Sequence, residues 1–145
     1  MRKAVRAIVI KDGNLLIMRR NKFGKAYETL PGGSVDAGES LAAALNRELM
    51  EETTIAVDNP RLVFIDHAGE PYGDQYVFLC EYNSGEPHLH PQSTELKIHQ
   101  EGMNLYVPGW LPLKHLAASP FVSNKLKDNL LRALSQGWPV IPEEF

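Results

Sequence analysis

The apolar positions of this chain change period several times, and each change predicts an element. Val5 to Ile10 is apolar except for Arg6, the pattern of a buried strand. Lys11-Asp12-Gly13-Asn14 is turn chemistry, and Leu15 to Met18 returns as a second strand, so the chain opens with a hairpin. From Ser40 to Glu52 the run is rich in Ala, Leu and Glu, which are strong helix formers. Ser40 is the expected N-cap, with Asp36 and Glu39 placing negative charge near the positive end of the helix dipole. Arg61 to Asp66 and Tyr76 to Tyr82 read as further strands around a loop from His67 to Asp74. Asn83 to Asn104 is polar and irregular. Leu105 to Val107 and Trp110 to Leu113 predict a last strand, bent at Pro108-Gly109. Ser123 to Leu134 predicts a second helix, apolar at Leu126, Leu130, Leu131 and Leu134. The apolar tail, Trp138 to Phe145, is expected to dock on the body or on a second subunit of a homodimer.

Strands before and after one helix, with a second helix at the end, predict an α/β fold with a mixed sheet between helices. At 145 residues the chain is expected to be a single domain over 1–145, large enough for its own core. The single cysteine, Cys80, excludes an intrachain disulfide and fits a reducing compartment. The basic start Met1-Arg2-Lys3 resembles the head of a signal peptide, but Arg6 and Lys11-Asp12-Gly13 interrupt the apolar stretch that would follow. No apolar run reaches spanning length, so a cytoplasmic protein with no membrane partner is expected. A net charge of −3 argues against a broad nucleic-acid footprint, so no nucleic acid polymer is expected as a partner. It leaves room for a small phosphorylated substrate whose charge a metal ion meets locally.

The candidate chemistry lies on the first helix. Leu41 and Leu45 begin an apolar stripe that continues as Glu48 and Glu52, with Glu51 one step aside. Like charges so close repel, and burying them adds desolvation, a combination suited to holding a hard cation. Gly33, five residues, Glu39, seven residues, Arg47-Glu48-Leu49, one residue, and Glu51-Glu52 resembles the Nudix box, signature of the Nudix (MutT-like) hydrolases. The match runs over 33–55, with Leu49 and Ile55 at the bulky aliphatic positions. Its one departure is Thr54, where the family has glycine. A β-branched residue is strained in the left-handed turn that such a glycine makes, so the helix is expected to end differently and run on into Ile55.

The resemblance, which covers roughly residues 4 to 135, implies a Nudix-type α/β/α sandwich. It implies Mg²⁺ or Mn²⁺ held by Glu48, Glu51 and Glu52 with the carbonyl of Gly32, and Glu39 paired with Arg47 to brace loop against helix. It also implies an acid in the loop before the last strand as a further ligand or as the base: Glu101, with Glu95 in reserve. Glu48, Glu52 and Glu101 all remain candidates for the base. The reaction implied is metal-dependent hydrolysis of a diphosphate linkage in a nucleoside diphosphate-X, such as an ADP-ribose-like compound, a dinucleoside polyphosphate or a (d)NTP. Arg19, Arg20, Lys22 and Lys25 form the densest basic cluster, read either as a solvated loop or as a phosphate clamp, with Arg20 the preferred residue. Tyr72, beside Pro71, stands near the family's substrate markers, which leave the X group open; Tyr27, Phe64 and Tyr76 are other aromatics available to stack on a base. His88 and His90 lack the companion ligands of a zinc site. Two alternatives are a non-catalytic Nudix ligand-sensing or protein-binding module, and an isomerase on the same fold that would use Cys80.

Overall fold

The computed structural model describes residues 2–145; Met1, part of the basic start discussed above, lies outside the described residues. Strand β1 (Lys3–Lys11) and strand β2 (Asn14–Lys22) form the expected hairpin, turning on Asp12 and Gly13, both at positive φ. They stay paired only at Ile10↔Leu15 and Lys11↔Asn14. Beyond that point the strands separate, and each finds other partners.

β1 runs parallel to β6 (Asp74–Ser84), which lies antiparallel to β5 (Ala56–His67). The edge of β1 vacated by β2 is taken by the three-residue strand β4 (Gly32–Ser34), with Arg6 opposite Gly32 and Val5 opposite Gly33. β2 pairs with β3 (Lys25–Thr29) on one side and with β7 (Asn104–Pro112) on the other, both antiparallel. The mixed sheet therefore splits at its hairpin into two lobes, β4-β1-β6-β5 and β3-β2-β7.

Alternation along β1 divides the core. Val5, Ala7 and Val9 face helix α1 (Leu41–Thr53), packing with Ala44, Leu45, Leu49 and Phe78. Ile8 faces the opposite layer, with Leu15, Ile17, Phe64 and the Leu126, Leu130 and Ala133 stripe of helix α3 (Asn124–Gln136). Helices on both faces of the sheet make the expected α/β/α sandwich. Each buried Leu or Ile here contributes on the order of 2 kcal/mol.

Several expectations need correction. The basic cluster is not a loop: β2 continues through Arg19, Arg20 and Lys22, turns at Phe23-Gly24, and returns as β3. Pro108-Gly109 does not break the last strand, because β7 pairs with β2 alone and Pro108 leaves no donor unpaired there. The side chain of Arg19 crosses Gly109, where a Cβ would lie 2.2 Å from its Nη1, and donates to the Trp110 carbonyl. The irregular stretch contains a third helix, α2 (Thr94–Gln100), capped by Ser93 and packed on β7.

Thr54 also departs from expectation. It takes the left-handed C-cap itself, at φ 57°, and its amide donates to the Met50 carbonyl. Thr54 Oγ1 donates to the Glu86 carbonyl at 2.9 Å, so contacts from the segment after β6 offset the strain.

The tail docks on the body. Phe145 and Trp138 pack on Phe64 at ring distances of 5.9 and 6.4 Å, and β8 (Glu143–Glu144) adds a parallel strand to β5. No helix among the described residues is long and apolar enough to cross a membrane.

His67 holds the tail in place, with Nδ1 2.8 Å from Asp74 and Nε2 2.8 Å from Glu144. The two carboxylates raise its pKa above the ordinary 6.5, Asp74 most. This contribution is therefore complete below about pH 6.5 and is lost as pH rises through the raised folded value. Hydrogen-exchange protection of the Phe145 amide, corrected for intrinsic rate, should fall as pH rises above about 6.5, and His67→Ala should remove that pH dependence.

Candidate active site

α1 starts at Ser40, whose Oγ accepts from the Ala43 amide. Its register turns Glu48 and Glu52 inward onto β4, where each is only 7% exposed. The Gly32 amide donates to Glu52 Oε2 at 2.9 Å. Gly33 lies flat against Glu48: a Cβ there would sit 2.6 Å from its carboxylate. Gly32 has no room for a side chain at all, since a Cβ would meet the Val5 carbonyl oxygen at 1.9 Å. The glycine pair is needed because strand backbone and helix carboxylates share the same space.

Arg47 ties the loop to the helix. Its Nε and Nη2 grip the two oxygens of Glu39 at 2.8 and 2.9 Å, Nη1 donates to Glu48 Oε1 at 2.9 Å, and Nη2 also reaches the Ser34 carbonyl. The planar fork matches the planar carboxylate. The Arg47 hydrogen bonds hold the Glu39 carboxyl down at about 2.

Burial acts the other way on the inner acids. It pushes Glu52 up to about 8, against the Gly32 amide and the charge of Arg6, while Glu48 and Glu95 push in the same direction as burial. Burial also raises Glu48, opposed chiefly by Arg47. Glu95, on α2, completes the group: one oxygen each of Glu48, Glu52 and Glu95 lie within 4.8 Å of one another. Glu95 Oε2 is buried with no hydrogen-bond partner among the described residues. Three converging carboxylates, that of Glu95 with an orphaned buried oxygen, are the donor set of a hard divalent cation, so these residues fit one.

Glu51 lies to the side, its side chain 41% exposed and 3.6 Å from Arg47 Nη1. Glu101 is outside the cluster, exposed at the C-cap of α2, so α2 presents Glu95 where Glu101 was the first choice from sequence. The sequence ranked Glu101 first because it does not show that Glu95 lies in the first turn of a helix and Glu101 at its C-cap. Tyr72 is 60% exposed, on the rim of a neighbouring cleft.

That cleft has a volume of about 590 Å³, and the acidic cavity beside it about 290 Å³. Arg6 and Arg20 line both. Arg20 lies 3.7 Å from the ring centre of Tyr106 and 5.6 Å from that of Tyr27, and donates to the Leu105 carbonyl and to Asn104. Arg6 donates through Nε to Gln75 and through Nη1 to the Leu30 carbonyl. Arg6 was not singled out from sequence; its signal is a lone charge inside the apolar strand Val5 to Ile10. Cys80 sits in the core on the α1 side, where burial pushes its thiol up to about 12, too high for a nucleophile.

The family model for the NUDIX domain matches residues 1–132. The chain belongs to the Nudix hydrolase family. This Nudix domain is 33% identical over 82 residues to the NAD-capped RNA hydrolase NudC of Escherichia coli O1:K1 / APEC, a match covering 57% of this chain. The match spans about a third, 32%, of that curated relative's own length. Among solved structures, a MutT NUDIX hydrolase from Burkholderia pseudomallei aligns at a TM-score of 0.60 with 28% identity, over 78% of this chain and 84% of the other. An ADP-ribose pyrophosphatase from Streptococcus suis 89-1591 aligns at 0.69 with 20% identity, over 99% and 98%, a likeness of fold.

The two glycines should fail differently when replaced. Gly33→Ala should weaken Mn²⁺ binding, measured by calorimetry, by at least about tenfold while the melting temperature moves by less than about 5 °C. Gly32→Ala, which meets backbone, should lower the melting temperature by more than Gly33→Ala does.

Proposed function

We propose that this Nudix domain hydrolyses a diphosphate linkage in a nucleoside diphosphate-X substrate. The observation that carries the reading is the junction of two cavities: a cleft of nucleotide size and a triad of inward carboxylates, joined by Arg6 and Arg20. The residues that would hold Mg²⁺ or Mn²⁺ are Glu48, Glu52 and Glu95, with Glu51 and the Gly32 carbonyl at the margin. Bound there, the ion would supply charge neutralisation and water activation.

The chain's own residues do the rest. Arg20 is held by Tyr106 and Asn104 with its guanidinium between the cavities, placed to steady the diphosphate as charge builds on its oxygens. Arg6 approaches the same junction from β1, and its charge favours the ionised form of Glu52 against burial. Arg47 and Glu39 touch no substrate in this reading; they position Glu48.

The curated relatives are named for NAD-capped RNA, so an RNA-linked diphosphate belongs among the substrates to be tried. Lys22 and Lys25 on the rim of the cleft are placed to meet a polyanion. A compartment of cytoplasmic type, rich in such substrates, suits this reading.

The test is a hydrolysis panel of ADP-ribose, dinucleoside polyphosphates, (d)NTPs and NAD-capped RNA, each with Mg²⁺ and with Mn²⁺. Turnover of one class should fall at least about a hundredfold in Glu52→Gln and in Glu95→Gln, and stay within about twofold of wild type in Glu101→Gln. Nucleotide binding without turnover of any member would favour the ligand-sensing alternative.

A further inference from the structure

The acidic cavity accounts for Glu48, Glu52 and Glu95, yet another buried carboxylate lies outside it. Asp66, at the end of β5, is 4% exposed and lines the large cleft. Its Oδ1 is buried and has no hydrogen-bond partner among the described residues. The neighbours are already committed. Gln75, its cross-strand partner, accepts from Arg6 Nε at 3.0 Å and donates to the Tyr72 carbonyl at 2.7 Å. His67 spends both ring nitrogens on Asp74 and Glu144. Ser123 Oγ accepts from the Leu126 amide at the start of α3, and Lys125 acts on Asp66 only through its charge. Burial raises the pKa of the Asp66 carboxyl. A buried acceptor without a donor destabilises a fold, and one that lines a cleft is completed when a ligand brings the donor.

The rest of the cleft indicates which ligand. Tyr27, Phe23 and Tyr72 line it, and the last two are 68% and 60% exposed, so flat faces are available to a planar ring. Arg6 and Arg20 connect it to the acidic cavity, where a diphosphate would lie under the reading above, on which this inference rests. A planar ring that carries N–H donors and is joined to a diphosphate is a nucleobase.

We propose that Asp66 determines base specificity: its Oδ1 accepts a hydrogen bond from an exocyclic amino group, so the cleft prefers adenine over hypoxanthine and cytosine over uracil. In each pair the disfavoured base has an oxo group in place of the amino group and a proton on the neighbouring ring nitrogen. Its oxygen would face the Asp66 oxygen, two acceptors with no proton between them, and the buried carboxylate would stay unpaired.

The experiment measures dissociation constants of AMP, IMP, CMP and UMP by calorimetry, for wild type, Asp66→Asn and Asp66→Ala. Monophosphates contain no anhydride, so the readout is independent of turnover. Wild type should bind AMP at least about tenfold more tightly than IMP, and CMP more tightly than UMP. Asp66→Asn, whose amide can present an N–H to an oxo group, should narrow or reverse both preferences. Asp66→Ala should bring each pair close to equality, and it serves as the second variant if the amide disturbs α3. The proposal is overturned if wild type shows no amino preference, if it binds none of the four, or if the preference persists in both variants. Amino-selective binding with no diphosphate turnover would end the hydrolase reading and keep this one. Diphosphate turnover indifferent to the amino group would do the reverse.

Discussion

Two carboxylates one helical turn apart, both inside the protein wall, set the terms for everything around them. Glu48 and Glu52 repel each other and have lost most of their water, so burial raises the pKa of each. A chain selected only for stability would place apolar residues there. Here the surroundings hold the acids instead. The Gly32 amide takes one oxygen of Glu52, Arg47 takes one of Glu48, and the charge of Arg6 offsets part of the repulsion. Because Arg47 also grips Glu39 and the Ser34 carbonyl, the loop from Gly32 to Glu39 and the helix after it form one rigid unit.

The split sheet is what gives these acids a substrate-sized space. Had β2 stayed paired with β1 along its length, no edge would remain for β4, and the glycine pair would not reach α1. Because the hairpin opens after two residue pairs, β4 enters on one side of the gap. Arg6 from one lobe and Arg20 from the other face into the space between.

The third acid depends on how α1 ends. A helix C-terminus leaves carbonyls unpaired. Here the His88 amide donates to the Thr53 carbonyl and the His90 amide to the Glu51 carbonyl. These bonds, together with Thr54 Oγ1 on the Glu86 carbonyl, lay the polar segment after β6 along the end of α1. Ser93 then caps α2, and the first turn of α2 carries Glu95 to the other acids. The left-handed Thr54 and the position of Glu95 are thus parts of one arrangement.

Local pattern was enough for the opening hairpin, the two long helices, the Ser40 cap and the inward stripe of Glu48 and Glu52, because helix and strand periods fix which side chains share a face. The Glu39–Arg47 brace and the Nudix-type sandwich were implied by the resemblance to the Nudix box. Contacts between distant segments left no such trace. Arg6 read as an interruption in a strand, and it becomes a site residue only when β1 is set beside β4 and β6. Glu101 ranked ahead of Glu95 in the sequence, and a seven-residue helix turns Glu95 inward and leaves Glu101 at its cap. Thr54 could take a glycine's conformation because a backbone carbonyl 32 positions later accepts from its hydroxyl. Asp66 stood out only once Gln75, His67 and Ser123 had been placed around it and their hydrogen bonds assigned. Burial and pairing are properties of the assembled fold, so the residues whose chemistry depends on them were visible only in the tertiary structure.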